Sequence, residues 1–522
     1  MKRFWNNCIL SLLLAALCLS LTGCWSGDDP DDGDTLNGLI GAEGLDEEPA
    51  AEKDTPITAF ALPIQSGETL DPISCGDGMQ QTLLPLLYEG LFALDESFTP
   101  TGVLCSDYTH SEDYTVWTFT LRSASFSDGS ALSAGDVVYS LQRAKSSARY
   151  GARLSDVTDI RANGNQVSIT LRVGNNRFPA LLEIPITAKA SGNSSTPLGT
   201  GPYRYSADEK GNAQLVKNEH WWQNAALPVD TMPLCEAADT SALTYLFSSH
   251  AVQMLVTDYT GSDPVSYTGN ISVTDAATCT MQYIGFNCTR GVFANAAARR
   301  AVSAGLDRDN ITRAYYSGHA QSAQFPVSPA SSWYPKGLDA TYSTEQFRQL
   351  MEEAGYNAGR TVAVQMLVCD GNTARESAAK AIASALSAYD LKVSLKVLPY
   401  SEYIAALRGG NFDLYFGECR MTPDFNCAAL LRSGGSLNYG GFSDASLDAQ
   451  ITTAFTSDAP VGANEAMCAA IQQDAPIAVL CFKSLSVIVQ NGATDTITPT
   501  CFNPFYQLTN WKIHIKGEPT NG

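Results

Sequence analysis

The sequence is poor in histidine and in positive charge. Five histidines occur in 522 residues (His110, His220, His250, His319 and His514), with no HExxH or other ligand spacing, so no metal site is expected. Lys plus Arg number 33 against 54 Asp plus Glu, a formal net charge of −21. A surface that acidic repels phosphate backbones and anionic headgroups, which excludes nucleic acid and an electrostatically held membrane surface as expected partners. No CxxC, GxSxG, Walker A, GxGxxG or SxxK-plus-KTG set is present, and Asp, Glu and Ser fall in no spacing that defines a base–nucleophile pair. The expectation is therefore a protein that is not an enzyme and carries no cofactor. The remaining composition, 44% hydrophobic and 17% charged, is that of an ordinary globular chain. At roughly 100–200 residues per domain it predicts three or four domains or a few large lobes.

Long apolar runs are equally scarce. Ile9–Leu21 is thirteen residues broken only by serines, behind a basic head of Lys2 and Arg3. It is too short for a hydrocarbon core that needs about 20 residues, but it suits a signal-peptide h-region. Leu21-Thr22-Gly23-Cys24 follows and resembles a bacterial lipobox, in which cleavage after Gly23 leaves a lipidated Cys24 as the first residue. Residues 1–23 then read as a lipoprotein signal peptide, and the chain as anchored to the outer face of the bacterial cytoplasmic membrane. Residues 24–56 read as an acidic tether: positions 25–54 hold eleven acids and one base, Lys53, with no apolar period. Eleven cysteines lie beyond Cys24. Outside the membrane some should pair, and an odd number leaves at least one unpaired.

The folded part alternates strand and helix signals. Trp117, Phe119 and Leu121 alternate with threonines, and Val167, Ile169, Leu171 and Val173 repeat the pattern, predicting half-buried antiparallel strands. Ser133 and Asp136 form a capping box ahead of a Val137, Val138, Leu141 stripe. Further on, residues 361–368 (strand), 373–389 (helix), 391–397 (strand), 402–408 (helix) and 411–416 (strand) predict a β-α-β-α-β run. Ser343 with Gln346 is a second capping box, and Gly355 stands where that helix should end.

The motifs in this frame include Leu87-Tyr88-Glu89-Gly90-Leu91, Phe126-Ser127-Asp128-Gly129, Pro197 through Tyr203, Asn218 through Trp222, and Tyr283-Ile284-Gly285-Phe286-Asn287. Arg299-Arg300-Ala301-Val302, Leu306-Asp307-Arg308, Glu353 through Tyr356, and Asn438-Tyr439 continue the series. In this order, from about residue 57 to 511, they resemble the family 5 bacterial extracellular solute-binding proteins, the oligopeptide, dipeptide and nickel receptors of ABC importers. The resemblance implies an α/β, two-lobed periplasmic-binding-protein-like fold (type II, with an extra subdomain in lobe one) and two hinge crossings. Lobe one would be 57–283, with 484–522 returning to it, and lobe two 284–483. The crossings would fall near Tyr283–Asn287 and Ile477–Lys483. The implied function is capture of a peptide or similar small polar solute between closing lobes. Delivery to ABC permease subunits would follow, by a monomer without chemistry of its own. A lipid-anchored hydrolase or peptidase, and a sensory or adhesion lipoprotein that has lost its transporter, are the alternative readings.

The resemblance also suggests where the solute sits. In peptide receptors of this family an acid in the loop after the strand corresponding to 411–416 holds the ligand ammonium. Here that position is Met421, beside Arg420, so Glu418 or Asp424 would take the ammonium, or the ligand is not an ordinary free-amino peptide. Arg420 could pair with a ligand carboxylate. Thr422 belongs to the same loop. Cys75, Gly76 and Asp77, in the loop before the Leu87–Leu91 motif, are further candidates. So are Tyr400, Glu402 and Tyr403 after a strand end, and Asn287 after a crossing strand. Trp221 and Trp222 read as core.

Overall fold

In the computed structural model the described residues are 57–76, 78–356 and 359–515. The expected signal peptide, the tether and the lipidation site Cys24 lie outside them, as does Asp77. Among the described residues no helix is long and apolar enough to cross a membrane.

The alternating segments become the predicted antiparallel sheet. Its order is Cys105–His110, Val116–Leu121, Gln166–Leu171, Val157–Asn163. Trp117, Phe119, Val167 and Ile169 face inward, and the helix Ala134–Lys145 covers them with Val137 and Leu141. That helix begins where its capping box puts it: Asp136 N–H donates to Ser133 Oγ, and the Ser133 N–H donates back to Asp136 Oδ2 at 3.0 Å. A second, mixed sheet sets Leu62–Gln65 parallel to Thr231–Ala237, followed by Ala213–Lys217 and Tyr203–Ala207.

The largest sheet has seven strands. Its main path is Met254–Thr257, Ile477–Gln490, Ile271–Phe286, Leu414–Arg420, Val362–Cys369, Leu391–Leu398, and Ala320–Ser322 pairs with Ile477–Gln490. The last three strands of the path are parallel, as a β-α-β-α-β run requires. Helix Thr373–Ser387 covers one face with Ala378, Ala379, Ile382 and Leu386. Alternate residues of Ile271–Phe286 enter separate apolar clusters, Met281 and Tyr283 on one face and Ile284 and Phe286 on the other. Helix Thr344–Glu353 is capped by Ser343 and ends where Gly355 takes φ +88°, as its sequence signals predict.

Two elements of the run start two or more residues away from the sequence reading. The third strand of the run is Leu414–Arg420 rather than 411–416, because Ile271–Phe286 offers partners from Phe286↔Leu414 through Thr280↔Arg420. The helix expected at 402–408 starts two residues earlier, at Tyr400, behind Pro399, whose φ suits a helix entry.

The two longest strands, Ile271–Phe286 and Ile477–Gln490, run antiparallel and contain both apolar segments expected to cross between lobes. Their ladder is continuous from Ile271↔Gln490 to Ala277↔Ser484. It breaks before Met281↔Phe482 and shifts again between Gln282↔Cys481 and Tyr283↔Val479. Inside the first break Thr278 Oγ1 donates to the Lys483 carbonyl at 2.7 Å, so the interruption is closed by a side chain.

Candidate functional site

Parallel strands deliver their C-terminal ends to one edge of a sheet, where loops and helix N-termini gather. Here that edge holds Cys369–Asn372, Tyr400 and Glu418–Arg420. The antiparallel neighbours bring Gln282 and Lys483 to the same place, and the loop after Met254–Thr257 brings Asp258. Asn372 fixes that loop by donating Nδ2 to the Thr260 carbonyl at 2.8 Å while its Oδ1 caps helix Thr373–Ser387.

Glu418 is the centre of the cluster. Gln282 Nε2 donates to its Oε2 at 2.6 Å, and Tyr316 Oη donates to Gln282 Oε1, fixing the amide orientation. Lys483 Nζ is 2.8 Å from Asp258 Oδ2 and 4.0 Å from Glu418 Oε2. Arg375 Nη1 is also 4.0 Å from Glu418 Oε2, while its Nε and Nη2 donate to the Cys369 and Asp370 carbonyls at 3.2 and 3.0 Å. The Lys483 side chain is only 7% exposed and that of Arg375 12%, against 32% for Glu418 and 39% for Asp258. Nearly buried cations with half-open carboxylates can exchange part of their internal pairing for a ligand's charges without leaving a bare buried ion. Burial pushes the Tyr316 hydroxyl well above its usual value, so it remains a donor.

The other sequence candidates separate clearly. Tyr400 (70% exposed) and Glu402 stand open at the same edge as Glu418. Arg420 is exposed, and the Glu183 carboxylate is paired with Arg153 at 3.0 Å. Tyr403 is core: its ring is buried and its hydroxyl donates to the Phe416 carbonyl at 2.7 Å. Met421 is buried beside Phe425, its N–H given to the Cys279 carbonyl at 2.8 Å. Asp424 is buried and occupied: Asn175 Nδ2 donates to it at 2.8 Å and Thr422 Oγ1 at 2.5 Å. Of the two carboxylates expected to meet an ammonium, Asp424 is thus occupied within the protein while Glu418 is half open, and Thr422 serves the turn.

Asn287 lies at the opposite end of its strand from the Glu418 edge, because the ladder runs antiparallel. There it donates to the Gly410 and Phe412 carbonyls, both at 3.2 Å, and accepts from Thr289 Oγ1 at 2.7 Å. Cys75 is buried in one cluster with Leu83, Leu84 and Leu86, and Gly76 is exposed just after the turn at Pro72–Ser74. Asp71 builds that turn, accepting from Ile73 N–H and Ser74 Oγ and pairing with Arg143 at 2.5 Å.

Sequence reasoning missed Arg375, Lys483, Gln282 and Asp258. A signal existed for one of them: Lys483 is a lone charge closing the apolar run Ile477–Phe482, and a strand position that is buried yet cationic demands partners.

One Ser–His–Asp group does exist. His319 Nδ1 is 2.9 Å from Asp275 Oδ2 and 3.4 Å from Ser486 Oγ, but the Ser486 hydroxyl donates to Asp275 Oδ1 at 2.6 Å. Serine and aspartate share one ring nitrogen, whereas a hydrolytic relay needs them on opposite nitrogens. Among the described residues no group of three or more His, Cys, Asp or Glu could hold a metal ion. A cavity of about 140 Å³ lies beside the ladder interruption, lined by Phe98, Asp275, Ala277, Gln321, Cys501 and Phe502 among others.

The family model of the bacterial extracellular solute-binding proteins, family 5, matches residues 99–436, well over half of the sequence. The chain belongs to this family. Among curated relatives of this solute-binding protein is the glutathione-binding protein GsiB of Escherichia coli K12, 26% identical over 307 residues. That alignment covers 56% of the chain and 60% of GsiB; the GsiB of Salmonella typhimurium matches at 25% over the same shares. The chain therefore spans about three-fifths of the length of these relatives. The fold matches the unliganded open form of the periplasmic murein tripeptide-binding protein MppA. The TM-score is 0.72 at 20% identity, covering 84% of this chain and 95% of MppA. A Bacillus halodurans nickel ABC transporter structure gives 0.70 at 21% identity, covering 85% and 96%. The architecture is the α/β, two-lobed fold of these proteins.

Proposed function

We propose that this family member is the lipid-anchored receptor of an ABC importer, taking a peptide-like solute that carries both an ammonium and a carboxylate. The observation that carries the reading is the Glu418 cluster. A half-open carboxylate and two nearly buried cations stand together at the sheet edge where α/β folds bind ligands, and the interrupted ladder is alongside. Glu418 would receive the ammonium, Arg375 and Lys483 the carboxylate, and Tyr400 would cover the solute. The lobes would be 57–283 with 484–522, and 284–483, meeting across the cluster. The relatives named for glutathione and murein tripeptide fit such a ligand in charge and size. Anchoring through Cys24 rests on the Ile9–Leu21 run and the lipobox, and delivery to a permease on the family. The solute leaves unaltered.

Thermal shift with free-amino di- to pentapeptides, their N-acetylated forms and glutathione tests the reading. At about 100-fold over Kd a true ligand stabilises by about 2.7 kcal/mol. Glu418→Gln should weaken free-amino ligands at least tenfold and leave N-acetylated ones nearly unchanged. Continuous release of cleaved product, or no shift with any member of the panel, overturns it.

A further inference from the structure

Lys483 is a nearly buried cation, and the carboxylate nearest to it stands on a loop. Lys483 itself is fixed within Ile477–Gln490, where Thr278 Oγ1 donates to its carbonyl and Ala320 pairs with it. Asp258 follows Met254–Thr257, a strand at the edge of the large sheet whose last rung is Thr257↔Ser486. From Asp258 to Asn270 the chain runs outside any strand or helix, through Gly261, Pro264 and Gly269, with residues 262–264 exposed. Of the two partners, the aspartate is the one able to move.

The two oxygens of Asp258 have separate tasks. Oδ1 accepts from Thr260 N–H at 2.8 Å and from Thr260 Oγ1 at 2.7 Å, which closes a local turn. Oδ2 accepts from Lys483 Nζ at 2.8 Å. Two further contacts hold the start of the loop. Asn372 Nδ2 donates to the Thr260 carbonyl at 2.8 Å, and the Tyr259 ring lies 4.6 Å from the His319 imidazole. The ion pair is unequal in its access to water. The half-open Asp258 carboxylate loses little by returning to solvent, whereas the nearly buried Lys483 ammonium needs an anion beside it. Glu418, at 4.0 Å, is too far to replace the contact at 2.8 Å. The Asp258–Lys483 bond therefore opens at low cost only when another anion takes the position of Oδ2.

We propose that Asp258 is an internal competitor for the solute's carboxylate, and that exchange of one for the other on Lys483 makes binding depend on that carboxylate. A free acid replaces Oδ2 and releases the loop. A solute whose acid is amidated offers the ammonium no charge and meets Asp258 still in place. The turn at Oδ1 survives the exchange, since Thr260 travels with Asp258. On the proposed division Asp258 belongs to lobe one, and Lys483, Arg375 and Glu418 to lobe two, so the exchange would trade a direct bond between lobes for one through the solute. The role of Asp258 rests on the Glu418 cluster being the solute site, and it names the residue that sets the acid requirement there.

Hydrogen exchange and titration of the full chain test the role. The probes are the free-amino peptides of the thermal-shift panel, their C-terminal amides, and acetate against chloride at equal ionic strength. Free acids and acetate should speed amide exchange over residues 258–264 in the wild type, although a bound ligand ordinarily slows exchange; amides and chloride should not. Asp258→Asn keeps a side-chain carbonyl for the Thr260 N–H, so the turn survives while the competing charge is lost. In this variant residues 258–264 should exchange fast without any addition. Free acids should bind it about fivefold tighter than they bind the wild type, with amides unchanged. Equal or weaker binding of free acids by Asp258→Asn, or exchange over residues 258–264 that no carboxylate speeds, overturns the role of Asp258. Failure of every peptide to shift the wild type refutes the solute reading instead, and acetate against chloride then still decides the exchange on Lys483.

Discussion

Glu89 is a half-buried carboxylate ringed by neutral donors. Trp221 Nε1 and Gln223 Nε2 donate to its Oε1 at 3.1 and 3.2 Å, and Trp222 Nε1 and Thr200 Oγ1 to its Oε2 at 2.8 and 2.9 Å. A single side chain therefore joins the Leu87–Leu91, Pro197–Tyr203 and Asn218–Trp222 motifs, and their residue types follow from the donors a caged carboxylate needs. Burial raises its pKa above the ordinary 4.5, although the four donors pull the other way. Glu89→Gln puts an amide NH₂ against two donors at one oxygen position, and should cost about 1–3 kcal/mol of unfolding free energy at pH 7. A raised folded-state pKa contributes stability below 4.5 that is lost as pH rises through the folded value. The gap between wild type and Glu89→Gln should accordingly narrow from pH 4.5 upward; urea titrations across that range would show a constant gap if the cage did not hold the proton. Arg308 has a similar structural part. Its Nε donates to the Val479 carbonyl at 2.8 Å and its Nη1 to that of Ser303 at 2.9 Å, which explains why an arginine follows Asp307 without any role toward a solute.

At the scale of strands, the Tyr283–Asn287 motif is a matter of close approach. Tyr283 pairs with Gly417 and Gly285 with Tyr415, so each tyrosine lies over the glycine opposite. A Cβ on Gly285 would stand 2.1 Å from the Tyr415 ring, and one on Gly417 2.3 Å from the Tyr283 ring. The rings meet edge to face with centroids 5.7 Å apart. Gly285→Ala and Gly417→Ala should each destabilise by about 1–3 kcal/mol through displaced rings. Because the displaced rings are neighbours, the double variant should cost less than the sum; strict additivity in a denaturant-melting cycle would contradict the interlock. Elements were legible where local signals decide them: the Ser133 capping box, the Ser343 N-cap, the alternating strands and the Gly355 stop. Site residues were less so, because the face a strand residue occupies depends on its partner. Nothing local to Tyr403 or Met421 reveals that they point into the apolar cluster, or that Asn287 serves the far edge. Nor does Arg375 announce itself before the sheet brings Glu418 opposite Gln282.

For the whole molecule, the order of weak motifs carried the architecture, since many spaced matches constrain a topology that no single one fixes. The segment Asn175–Arg177 shows how distant parts are joined. Arg177 is buried between the rings of Trp333 and Phe455, at 4.1 and 4.6 Å, and donates to Asn464 Oδ1 at 2.9 Å and to the Asp424 carbonyl at 3.2 Å. Burial lowers its pKa to about 10, which still leaves it a cation at neutral pH. On the proposed division, with lobe one at 57–283 and lobe two at 284–483, this joint would span both lobes and keep them in contact at one side. Solute binding should therefore reduce the radius of gyration measured by solution scattering, with the movement taken up away from Arg177. An unchanged scattering curve at saturating solute would count against closure.

The paired long strands have a mechanical consequence. Rungs between the two are missing within Ala277–Tyr283, where each strand is held by its outer neighbour, Leu414–Arg420 or Ala320–Ser322. That stretch is the part of their shared ladder with the fewest hydrogen bonds to break. Amide exchange should be fastest there within an otherwise protected β-ladder, and should slow when the molecule is filled.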